Sequence, residues 1–84
     1  MNIGLIACRS LTYAQRSARA LESAGYSAYV MRMPAGLPEN GCGYAVKVYE
    51  QDLKKAVTCL RQQGFAPRRA FLTDQDGRAV EVPI

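Results

Sequence analysis

YSAYVMRMPAGLPENGCGYAVKVY, residues 26–49, decides the fold. Its two flanks, residues 26–33 and 44–49, are rich in aromatic and β-branched side chains and read as strands. Between them, residues 34–43 hold two prolines and three glycines in ten positions. Proline lacks the amide that helices and central strands need, so this stretch is a connection. Two strands joined by a loop therefore sit in the middle of the chain.

Working outward, each strand has a helix beside it and another strand beyond. Residues 2–8 (NIGLIAC) form an apolar run too short for a helix and suited to a buried strand. Ser10 or Thr12 can then cap a helix, and Gln15 would complete a capping box with Thr12. Leu11, Ala14, Ala18 and Leu21 recur at helical spacing, and Gly25 supplies the stop. Downstream, Asp52 is placed to cap a second helix lined by Leu53, Ala56, Val57 and Leu60, with Gly64 ending it. Residues 65–73 read as a fourth strand delayed by Pro67. Asp76-Gly77 signals a two-residue hairpin into a fifth strand over residues 78–82, which Pro83 keeps at an edge. The order predicts one α+β domain over residues 1–84. Its expected architecture is a ferredoxin-like βαββαβ two-layer sandwich with a C-terminal β-hairpin and both helices on one sheet face. A doubly wound sheet fits less well, because two helices cannot cover two faces.

Composition narrows the function. At 84 residues, 49% apolar and 21% charged, the chain is an ordinary small globular domain. No run approaches the ~20 apolar residues of a membrane span, and the first residues lack a secretory pattern. Three widely spaced cysteines (Cys8, Cys42, Cys59) and no histidine do not form a disulfide framework or a zinc site. Reduced thiols in the cytoplasm, with no metal and no cofactor, are the expectation. The net charge of +4 contains only two basic pairs, Lys54-Lys55 and Arg68-Arg69. The five tyrosines are scattered, so neither charge nor aromatics favour nucleic acid.

Cys42 is the most informative single residue. In the expected topology the end of the first strand, the start of the first helix and the loop between strands two and three share one end of the molecule. Cys42 is then expected near Cys8, Arg9, Ser10 and the first turn of the first helix, with Arg68 and Arg69 in reach at the start of the fourth strand. A helix N-terminus and arginines favour a thiolate, the reactive form of cysteine. Gly41 and Gly43 leave the sulfur sterically open, permit unusual backbone angles and offer amides for an anion nest. An exposed, ionised, open sulfur is what persulfide or selenide carriage requires. Against this stands a bland reading: Gly-Cys-Gly as a tight turn, with Cys8 and Cys59 as small hydrophobes. By spacing alone the bland reading is the commoner.

Several segments also resemble the selenium/sulfur (Se/S) carrier protein-like family. These are Ser10 and Ala14 at the helix start, Leu21 and Gly25 near its end, Pro34 in the loop, and Cys42-Gly43 running into Tyr44-Ala45-Val46-Lys47-Val48. The resemblance implies a carrier that holds sulfur or selenium on Cys42 and exchanges it with donor and acceptor proteins. Family members usually carry an Arg soon after the loop proline, whereas Ala35 and Gly36 follow Pro34 here. Arg9, Arg32 and Arg68 are the candidate substitutes. With no histidine or paired carboxylate beside the thiol, a carrier or binding protein is expected rather than an autonomous enzyme. The competing expectation is a regulatory or assembly module that forms homo-oligomers through an open sheet edge, with Cys42 a turn residue only.

Overall fold

The computed structural model describes residues 2–33 and 43–84. They form an α+β domain with two helices and a five-stranded antiparallel sheet. The elements are β1 (Ile3–Cys8), α1 (Leu11–Ser23), β2 (Tyr29–Arg32), β3 (Tyr44–Tyr49), α2 (Leu53–Gln62), β4 (Ala70–Thr73) and β5 (Ala79–Val82). The strands lie in the order β2-β3-β1-β4-β5, and every neighbouring pair is antiparallel. β3 thus lies between β2 and β1, as the sequence predicts.

Local chemistry explains the helix boundaries. The Ser10 side chain accepts a hydrogen bond from the Tyr13 amide at 3.1 Å, so Ser10 is the cap and Thr12 lies inside the helix. Both helices stop the same way. Gly25 and Gly64 take left-handed angles (φ 97° and 91°), and the next amides, of Tyr26 and Phe65, donate back to Leu21 and Leu60. The expected Asp52 cap does not form. A single 3-10 turn, Glu50–Asp52, leads into α2, and Asp52 already has near-helical backbone angles, which take its carboxylate out of capping geometry.

Two strand starts and the last hairpin differ from the sequence reading by more than a residue at an end. β2 begins at Tyr29 rather than Tyr26, because the Tyr26 amide closes the α1 terminus. β4 begins at Ala70, because residues 65–67 are spent on docking: Phe65 completes the α2 stop, the Ala66 amide donates to Tyr13 Oη, and Pro67 has no amide. The last hairpin has a three-residue loop, not two. The Asp74 amide donates to Arg78 O, and Gly77 (φ 81°) occupies the left-handed position that such loops require. Asp74 Oδ1 accepts from the Asp76 and Arg78 amides and pins the turn.

The two sheet faces are unequal. Ile6, Cys8, Val46, Val48 and Ala70 meet Ala14, Ala18 and Leu21 of α1 and Leu53, Ala56, Val57 and Leu60 of α2 in the main core. On the opposite face Leu5, Ala7, Ala45 and Phe71 form a second buried cluster flanked by Ile3, Met31 and Met33. Both helices bury their apolar stripes in the first cluster.

Arg69, just before β4, donates to Glu81 of β5 through Nε to Oε2 at 3.0 Å and Nη2 to Oε1 at 2.7 Å. The hydrogen bond from Arg69 and its charge hold the Glu81 carboxyl below its ordinary range, against a smaller opposing effect of desolvation. A carboxylate depressed on folding stabilises the fold above its unfolded pKa, and that contribution fades as pH falls through the folded pKa. The stability gap between wild type and Glu81→Gln is therefore expected to be small at neutral pH and to close on acidification. An NMR titration should show the Glu81 carboxyl rising to the ordinary range in Arg69→Ala; no rise would refute the assignment.

Candidate functional site

One end of the sheet collects the residues singled out by sequence. β1 finishes there at Cys8, directly opposite Tyr44, the first residue of β3. The Met33 amide donates to Gly43 O at 2.7 Å, which ties the two sides of the β2–β3 connection at the same level. The Ala7 amide donates to Arg69 O at 3.0 Å and brings in the approach to β4. Cys8, Arg9, Ser10, Gly43 and Arg68 therefore share this end. Cys42 and Gly41 lie outside the described residues.

The chemistry of each placed residue can be read directly. Cys8 is 2% exposed and faces the helices, with its thiol directed at Ile6 O (3.5 Å). It belongs to the core rather than to the surface of this end. Ser10 is exposed, with its oxygen engaged in the α1 cap. Gly43 is exposed, does not have a positive φ, and a Cβ there would meet none of the described residues within 4 Å. Backbone angle thus does not require glycine at 43, contrary to the sequence argument. Arg68 is exposed. Cys59, on α2, is partly exposed, and its sulfur accepts from Gln63 Nε2 at 3.2 Å.

Around Arg9 the structure adds Tyr13, Arg16 and Phe65, which sequence reading missed. The Arg9 guanidinium lies over the Tyr13 ring (5.4 Å), Tyr13 meets Phe65 edge to face (5.6 Å between centroids), and Arg16 lies over Phe65 (6.0 Å). Tyr13 Oη accepts from the Ala66 amide at 2.8 Å and locks this stack to the α2–β4 connection. Across the sheet Arg32 lies over Tyr44 (5.8 Å). The only sequence hint was the spacing of Arg9, Tyr13 and Arg16 over the first turns of α1. Their ring partner, Phe65, is remote in the chain.

The fold and this end define a small α+β domain with an arginine-rich, helix-N-terminal edge. A family model described as "Putative Se/S carrier protein-like" matches residues 4–71, most of the chain, and the chain belongs to that family. The match runs from β1 into β4 and leaves β5 and its hairpin outside. Among curated proteins and among solved structures, nothing matches. Among the described residues no helix is long and apolar enough to cross a membrane.

Proposed function

We propose that this chain is a sulfur or selenium carrier, with Cys42 as the carrying thiol, on a ferredoxin-like scaffold to which β5 is added. Family membership over residues 4–71 is the observation that carries this reading. The β2-β3-β1-β4 order and the two helices on one face support the scaffold assignment. The stem of the loop that bears Cys42, Met33 and Gly43, stands at the end that holds the α1 N-terminus and Arg9. Both features favour an ionised sulfur. Arg9, Arg32 and Arg68 stand in for the arginine that family members carry after the loop proline.

Carriage needs no oxidant. The Cys42 thiolate attacks the outer sulfur of a donor persulfide, R–S–SH. A new S–S bond forms, the donor's S–S bond breaks, and R–S⁻ leaves with the electron pair. Release to an acceptor thiolate is the same exchange in reverse.

Mass spectrometry of protein purified without reductant is expected to find added sulfur or selenium on Cys42, and none in Cys42→Ala. Thiol alkylation at neutral pH should label Cys42 first, Cys59 next and buried Cys8 last, with Cys8 slower by roughly tenfold or more. Cargo retained by Cys42→Ala, or Cys59 labelling as fast as Cys42, would sink the reading.

A further inference from the structure

The charges of the described residues are sorted along the strand direction. β1 and β2 run towards the Cys8 end and β3 and β4 away from it, so each charge can be assigned to an end by register. Arg9, Arg32, Arg68 and Arg69 lie at the Cys8 end, with Arg16 on the first half of α1 and Arg61 in the last turn of α2. Glu22, Glu50, Asp52, Asp74 and Asp76 lie towards the opposite end, at the close of α1, the start of α2 and the β4–β5 turn. The remaining described acid, Glu81, is engaged by Arg69. Lys54 and Lys55, on the first turn of α2, and Arg78, in the β4–β5 turn, fall among the acids, while Arg19 and Lys47 lie within α1 and β3. A net charge of +4 thus understates how cationic one end is.

The cationic end is also built rather than merely solvated. Arg9, Arg16 and Arg32 each rest on an aromatic ring, and two of those rings are fixed to each other and to the Ala66 amide. Ring support reduces the freedom a guanidinium loses on binding. Leu11, 42% exposed in the first turn of α1, adds an apolar contact to the same end. Arginine and tyrosine are among the residues enriched in protein–protein contact cores. Guanidiniums cover the faces of Tyr13, Phe65 and Tyr44, so those rings are not open platforms for stacking bases.

We infer that Arg9, Leu11, Tyr13, Arg16 and Arg68 form a docking surface for an acidic protein partner. The inference deepens the carrier reading and rests on it only for what the partner would exchange. Charge sorting would speed encounter and orient the domain with its Cys8 end forward.

The test uses the full chain and, as probe, a fluorescent synthetic peptide of alternating Glu and Ser, with a Gln/Ser peptide and a single-stranded RNA as comparisons. The Glu peptide is expected to bind in a salt-sensitive manner and to shift the amide signals of Arg9, Tyr13, Arg16 and Arg68. The double variant Arg9→Ala/Arg16→Ala should weaken binding about tenfold, whereas Lys54→Ala/Lys55→Ala should leave it unchanged. Equal loss in the lysine variant, tighter binding of RNA, or indifference to salt would overturn the proposal. The substituted positions, Arg9, Arg16, Lys54 and Lys55, are exposed, and the amide spectrum of each variant reports whether it folds. Running the titration on Cys42→Ala separates the two readings. Peptide binding kept there while wild type carries no cargo removes the carrier and leaves the surface; cargo without peptide binding does the reverse.

Discussion

Gly4→Val is expected to destabilise the domain by about 3 kcal/mol, and Gly4→Ala by about 1–2 kcal/mol. Gly4 sits in the central strand directly under the start of α2. A Cβ placed there would come 2.9 Å from Leu53 Cδ1, 3.1 Å from its Cβ and 3.2 Å from its Cγ. The methyl end of Leu53 could swing aside, but the Cβ moves only if the helix moves. Leu53 is 3% exposed and has little room for either. Alanine regains part of the cost because it narrows the unfolded ensemble, a gain of roughly 0.5–1 kcal/mol. Valine adds two methyl groups to the same crowded point. Urea unfolding of both variants measures the effect. In a cycle with Leu53→Ala the double variant should lose less than the two single losses summed. Strict additivity would show that the helix, rather than the Leu53 side chain, sets the limit.

Phe71→Ala is expected to cost about 3–5 kcal/mol. Phe71 is 1% exposed and is the largest fully buried side chain, on the face opposite both helices. Its neighbours there are small or flexible: Ala7 and Ala45 offer little bulk, and Leu5 alone among the buried set is large and branched. Arg69 also lies over the ring, 5.5 Å from its centroid, so truncation removes a cation–π contact together with apolar area. A domain of this size is stable by only about 5–10 kcal/mol. The variant should therefore show a lowered thermal midpoint and a raised unfolded fraction at body temperature. A loss below about 1 kcal/mol would mean that this face contributes little to stability, and that the helix-side cluster alone holds the domain together.

Features with local causes were readable in the sequence; features with distant causes were not. The Ser10 cap, the glycine stops at 25 and 64, and the apolar stripes of both helices depend on residues within one or two turns. The placement of β3 between β2 and β1 also followed from element order. Asp52 was misread because a carboxylate before an apolar stripe has the same pattern whether it caps a helix or lies in a 3-10 turn. The start of β4 was misread because its cause, Tyr13 Oη taking the Ala66 amide, spans 53 positions. The crowding of Gly4 by Leu53 has the same long-range origin and left no mark on the spacing. For the candidate site, topology brought Cys8, Arg9, Ser10, Gly43 and Arg68 to one end, but sequence could not orient Cys8, whose thiol faces inward.

The position of β1 has a further consequence, for how the chain is made. β1 is the first strand in the sequence, yet it occupies the middle of the sheet, between Tyr44–Tyr49 and Ala70–Thr73. Translation delivers it long before either neighbour exists, and both of its pairings close large loops. The nascent chain can form α1 early but has no sheet to lay it on. The domain should become protease-resistant late and all at once, only after residue 73 has cleared the ribosome, and an apolar segment of residues 3–8 must stay out of trouble until then.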